Sequence, residues 1–289
     1  MEPCLSGKIL GAADNGLGCA DFCKPLSAFQ IILSGMPRID PIRKNYYSAV
    51  ERADTASDYL FYFGAVLSVA TLFVDQNTHP RLYDVVLIAF ALTTLALFVI
   101  GIASRLYLTP RAEDKRRQDF FGSAWGVSLT HEQTQGYYNN DQSAPARRMT
   151  AQVLENSHFT KSIALRMTRI ERVRVGIYAT LWVACVLTRR TDLGVVVAAS
   201  QAVFSEQILA KWLRIEWLRS RCEKVYDDVF KLFQSGATGQ TFNAMAMEAV
   251  TAYETGKANA AVTLSSKLFE KLNPTLSREW DAIKQSLKI

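Results

Sequence analysis

Few side chains in this chain are spaced for chemistry. Cys19 and Cys23 form a CxxxC pair with no second pair, and His79, His131 and His158 stand at no spacing that completes a four-ligand metal site. Five cysteines are an odd number, so a full disulfide framework is not expected, and Cys185 reads as a small apolar packing residue. His131 is followed by Glu132 but not by a second histidine four residues after the first, so the zinc-protease helix is missing. No Gly-x-Ser-x-Gly elbow occurs. The glycine-containing segment 235–241 lacks the lysine of a phosphate-binding loop. The sequence therefore predicts no catalytic residue, no metal and no cofactor.

Two sets of residues stand out against that background. Glu206 is a carboxylate two residues beyond Phe204, in a strongly apolar neighbourhood, and Gln201 lies five residues before it. A carboxylate at such a place either lines an aqueous path, paired with a base such as Arg174, or sits solvated among lipid headgroups. The second set is Gly136, Tyr137, Tyr138, Asn139 and Asn140. Tyrosine faces and asparagine amides suit stacking and hydrogen bonding to a ligand such as a nucleobase, or to a partner. The same residues also make an ordinary turn.

The elements that must position these residues are set by four apolar runs. Residues 59–74 and 85–104 form one hairpin across a polar link containing Pro80, and 175–188 and 193–204 form a second. Residues 85–104 are twenty in a row without a charge. As a helix they rise about 30 Å, the thickness of a bilayer's hydrocarbon core. The third and fourth runs are shorter, and a buried soluble hairpin is the alternative for them. The mean hydropathy of +0.04 hides this concentration. Residues 40–58 read as a helix leading into the first run, with Tyr47, Val50 and Ala53 on its apolar side. Pro110 is expected to stop the second membrane helix. Helices are also expected over 147–174, from 211 onward, over 241–256 and 258–272, and over 276–288, with Pro274 opening the last.

The net charge of +6 is carried beside the apolar runs. Arg43, Lys44 and Arg52 precede the first; Arg105, Lys115, Arg116 and Arg117 follow the second. Arg166, Arg169, Arg172 and Arg174 precede the third, and Lys211, Arg214, Arg219 and Arg221 follow the fourth. The opposite side holds only Arg81, Arg189 and Arg190. This asymmetry predicts a multi-pass membrane protein with both termini and the insertion cytoplasmic, and it assigns the basic charge to lipid headgroups rather than to nucleic acid. The expected fold is an all-α integral membrane protein with two transmembrane hairpins, four spans in all, and a cytosolic insertion and tail. Its parts are a poorly ordered extension (1–36), a pre-membrane helix and first hairpin (37–110), an insertion (111–174), a second hairpin (175–213) and a helical tail (214–289).

Residues 115–122 with 136–140, and 253–260 with 264–269 and 276–280, resemble bacterial membrane effectors of anti-phage conflict systems, over about residues 40–289. Those effectors are encoded beside cyclic-oligonucleotide synthases or retron reverse transcriptases. The resemblance implies a non-enzymatic protein that perturbs the inner membrane once a cytosolic sensor protein or nucleotide second messenger triggers it. Four short spans make a poor channel alone, so the residues themselves lead to the expectation of a homo-oligomer, with Gln201 and Glu206 as candidate polar lining. The alternative is a membrane scaffold that docks a soluble partner through the tail, over 253–280.

Overall fold

The computed structural model describes residues 39–188, 194–196, 199–200 and 205–289. The expected extension 1–36 lies outside these residues. Seven long helices carry the described chain, with further helical backbone at 194–196 and 199–200, so the all-α expectation is met. They are α1 (Ser48–Phe73), α2 (Pro80–Ala103), α3 (Thr109–Trp125), α4 (Pro145–Leu187), α5 (Lys211–Gln234), α6 (Gly239–Ala260) and α7 (Ser266–Leu287). Three π-helical turns adjoin them: Arg43–Tyr47 before α1, Ser104–Leu108 between α2 and α3, and Glu206–Ala210 before α5.

One core joins the insertion to the tail. Phe120 of α3, Met149, Val153, Leu154 and Ile163 of α4, Leu218, Val225 and Val229 of α5, Val250 and Tyr253 of α6, and Leu276 and Trp280 of α7 are all buried together. On α4 the core residues include Met149 and Val153, then Phe159 and Ile163 with Met167 packed against them, each four residues apart, the stripe of an amphipathic helix. The stripe ends near Thr168, and beyond it α4 continues with its apolar side chains bare. Trp280 is 1% exposed and donates its indole N–H to the Asn139 carbonyl at 3.0 Å, which fixes the 136–140 loop against the last helix.

The other end of the molecule inverts the usual burial pattern. Leu92, Leu95 and Phe98 of α2 are 57–65% exposed. Phe63, Val66 and Phe73 of α1 and Ile177, Leu181 and Leu187 of α4 are also exposed. Here the polar residue is the buried one: Thr93 of α2 packs toward Gly64 of α1, and its hydroxyl donates to the Ala89 carbonyl at 2.7 Å. α4 is joined to the helical backbone at 199–200 by a 2.7 Å bond from the Trp182 indole to the Ser200 hydroxyl. Charged pairs lie just below: Lys211 with Asp58 at 3.3 Å, Arg172 with Glu216 at 2.7 Å, and Arg174 with Glu171 at 3.1 Å.

Among the described residues one helix is long and apolar enough to cross a membrane. It is the continuous run Pro80–Trp125, whose most apolar eighteen residues have a mean hydropathy of 2.8 and are 6% buried. Four such helices are not present. α1 extends fifteen residues past Asp58 and α4 thirteen past Arg174, about 22 and 20 Å at 1.5 Å per residue, short of a full crossing. Much of the fourth run lies outside the described residues.

Three helix boundaries also differ from expectation. Pro110 does not stop a helix; it sits in the first turn of α3, directly after the π turn. The wider turn accommodates a residue without an N–H, so α2 passes into α3 unbroken. Pro274 lies inside α7 rather than at its start. The break falls earlier, where Ala261 takes a left-handed φ of 46° and the Ser265 hydroxyl accepts from the Leu268 N–H at 3.4 Å to start α7. α4 runs without interruption from the insertion into the third apolar run, because no proline or glycine pair separates them.

Truncating Trp280 to alanine removes its ring from the core and leaves the Asn139 carbonyl unmet. Urea unfolding of the purified chain is expected to show a loss of about 3–5 kcal/mol. A pH dependence follows from His158, buried between α4 and α7 with Lys161 on its own helix, Tyr226 of α5 beside it and Glu279 of α7 at 3.4 Å. Burial and then Lys161 hold its pKa below the ordinary 6.5, against the pull of Glu279. The unfolded chain therefore takes up a proton at a higher pH than the folded one. Stability is expected to decline as pH falls from 6.5 through the depressed value, and His158→Gln to flatten that decline in the same unfolding measurement.

Candidate functional site

A cavity of about 190 Å³ lies in the helical body, walled by the segment entering α1 and by α1, α3, α4, α5, α6 and α7. Asp40 begins it. Its Oδ1 accepts the Arg43 N–H at 2.9 Å, a cap on the helix that leads through the π turn into α1. Its Oδ2 holds Arg116 of α3 at 2.7 Å. The Arg116 guanidinium lies 4.6 Å from the centre of the Tyr137 ring and 5.7 Å from that of Tyr47. Antiparallel backbone bonds between Ile39 and Gln135, at 3.2 and 3.0 Å, strap the Asp40 segment to the start of the tyrosine loop.

Glu113 lies one turn before Arg116, on the same face of α3. It accepts the Tyr47 hydroxyl at 2.7 Å, and Lys257 of α6 approaches it to 2.8 Å. Lys257 also lies 3.7 Å from Glu254. Burial works against both charges. Lys257 nevertheless holds Glu113 below the usual carboxylate range, and Glu113 with Glu254 holds Lys257 above its ordinary value. Burial and the neighbouring Glu113 push the Tyr47 phenol well up, so it remains a donor. On the α4 wall, Thr160 meets the Tyr253 hydroxyl at 3.3 Å. Glu51 accepts the Ser266 hydroxyl across the α1–α7 side. Arg116 is buried, its Nη1 has no hydrogen-bond partner, and Asp40 and Tyr137 keep it charged against the cost of burial.

The cavity offers polar and ring contacts. The nearby thiol of Cys222 is pushed up to about 12 by burial, so it stays protonated and inert. The arrangement can bind, and it can transmit. From Tyr47 to Asp58, and from Arg105 to Arg116, eleven residues separate the cavity from the start of the apolar segments, about 16 Å along the helices.

The structure divides the Gly136 to Asn140 loop. Gly136 takes a φ of 64°, which turns the chain after Gln135. Tyr137 lines the cavity, whereas Tyr138 is packed into the core against Phe120. Asn139 works through its backbone, its N–H donating to Glu155 at 3.1 Å and its carbonyl accepting from Trp280. The Asn140 side chain accepts the Gln142 N–H at 3.4 Å, a turn contact. Arg174 bonds Glu171 on its own helix and lies over the Tyr62 ring at 5.9 Å. Gln201 lies outside the described residues, as does the side chain of Glu206, whose backbone forms the π turn before α5. The sequence reading missed Asp40, Tyr47, Glu113 and Lys257 as site residues. Glu113 and Arg116 sit within a charged run that reads as a solvated face, and only the approach of α6 and of the strap makes them interior.

No family model, curated protein or solved structure matches the chain.

Removing Glu113 leaves Lys257 buried with Glu254 alone. Glu113→Gln is expected to cost about 1–3 kcal/mol in urea unfolding, and Glu113→Leu combined with Lys257→Met to recover part of it, since the combined change strands only Glu254, which keeps some contact with water.

Proposed function

We propose that this chain is a membrane effector of a bacterial defence system, which opens or disrupts the inner membrane when its cytosolic helical body receives a signal. In this proposal α2 crosses the bilayer, and the apolar ends of α1 and α4 and the run 193–204 enter beside it as a multi-pass bundle. The charged pairs at Asp58, Glu171, Arg174, Lys211 and Glu216 sit among the headgroups, and both termini are cytoplasmic. Copies of the chain assemble around an axis, with Gln201 and Glu206 as the polar residues of its lining.

One observation carries this reading: three of the six helices that wall the cavity have far ends that are bare and apolar. α1, the α2–α3 run and α4 each pass from the cavity wall into an exposed apolar stretch without a break. A change in the cavity therefore moves levers whose other ends face lipid. Docking of a soluble partner on the tail has less support, since Tyr253, Leu276 and Trp280 are buried in the core.

The test is dye release from liposomes holding the purified chain. The Glu113–Lys257 bond ties the second apolar helix to α6, so Glu113→Gln is expected to release the lever and raise the leak rate about tenfold over the native chain, the effect of shifting a two-state balance by about 1.4 kcal/mol. A second variant, Leu92→Lys with Leu95→Lys, places two charges at the middle of α2, each costing about 2.5–3.5 kcal/mol in a membrane, and is expected to abolish both membrane recovery and leakage. Liposomes that stay sealed with the native and Glu113→Gln chains alike would overturn the proposal.

A further inference from the structure

We infer that the cavity is a binding site for an uncharged single-ring heterocycle bearing a lactam edge, a ring carbonyl beside a ring N–H. Size is the first constraint. About 190 Å³ is slightly more than the roughly 150 Å³ hole that accepts benzene in an engineered core, and less than the ~300 Å³ at which drug-sized pockets begin. One ring with small substituents fits inside; a whole oligonucleotide does not.

Charge is the second constraint. The lining holds three cations, Arg43, Arg116 and Lys257, and three carboxylates, Asp40, Glu51 and Glu113. Asp40 holds Arg116, and Glu113 holds Lys257. An anion entering here meets no net positive field and lies close to carboxylates already in place, and a cation meets the converse. A neutral ligand avoids both costs.

The third constraint is the set of groups open to a ligand. Arg116 lines the cavity, and its buried Nη1 has no hydrogen-bond partner, so a carbonyl oxygen that reaches it meets an unpaired donor while Asp40 keeps Nη2. Asn156 of α4 lines the same space and can both donate and accept, as a lactam edge requires. Tyr137 of the loop and Phe159 of α4 line the same space and supply aromatic contact. A purely apolar ring would leave the Arg116 nitrogen unmet, and a carboxylate would crowd Asp40 and Glu113.

That such a ligand triggers the membrane response rests on the proposal above; that it binds does not. The experiment uses the full chain in detergent, with uracil and 2-pyridone as uncharged lactam probes and benzoate as a ring of similar size carrying a carboxylate. Either lactam is expected to bind one to one by calorimetry and to raise the melting temperature by about 3 °C at tenfold excess over its Kd. Benzoate is expected to do neither. Asn156→Leu removes the amide and Val262→Phe fills the space from the 261–265 turn, and each is expected to abolish the shift while keeping the melting temperature of the free chain within about 2 °C. Arg116 itself is left intact, because its loss would also free Asp40. The inference is overturned if neither lactam binds, if benzoate binds as tightly as either, or if both variants keep the shift. Lactam binding without any change in dye release would leave the ligand assignment standing and count against gating. Leakage without lactam binding would do the reverse.

Discussion

The buried contact of Glu113 with Lys257 and Tyr47 constrains everything around it. A carboxylate and an ammonium taken out of water cost several kcal/mol apiece and return it only when their remaining bonds are met. Here they are met by helices far apart in sequence: Tyr47 from the entry to α1, Glu113 from α3 and Lys257 from α6. The three helices cannot shift independently without stranding a charge. The same contact forms one wall of the cavity, so the most demanding electrostatic feature of the body is also the one nearest to any ligand.

The apolar end of the molecule follows a different rule. In the body, side chains alternate between core and water in the manner of soluble helices. Past the charged pairs at Asp58 and Arg174 the large apolar residues turn outward, while Thr93 and Gly64 are enclosed. Monomeric soluble proteins rarely leave such continuous apolar faces uncovered. The two regimes meet within single helices, and α4 passes from one to the other over a few residues around Thr168. Stiff helices that cross such a boundary carry displacement from one side to the other, because their internal hydrogen bonds give them little freedom to absorb it.

Much of the secondary structure was legible from periodicity. The long uncharged run at 85–104, the approach helix before Asp58 and the stripe on α4 all appear where composition places them. Proline misled twice. Pro110 and Pro274 read as punctuation, yet each is carried within a helix, one beside a π turn and one inside α7. Local sequence does not say whether a missing backbone bond will be tolerated; packing on either side decides that. Of the four expected spans, the first and third runs measure short once their flanking charges are seen engaged in ion pairs, and much of the fourth lies outside the described residues. Of the site, Tyr137 and Arg116 were visible as residue types, but not as neighbours. Tyr138 looks equivalent to Tyr137 in sequence and packs on the core instead, because adjacent residues of an extended loop point to opposite sides.

The amino-acid order alone determined that the long elements of the described residues are helices, that the apolar residues are gathered into runs, and that basic residues stand at one end of each. Those properties are short-range: they follow from helical pitch and from the cost of placing charge in an apolar stretch. Only the tertiary structure decided that insertion and tail share one core and that Glu113, Arg116 and Lys257 are interior. It also placed a ring-sized space among them. Burial of a charge depends on which distant helix covers it, and nothing within a few residues of Glu113 records the arrival of Lys257, 144 positions later.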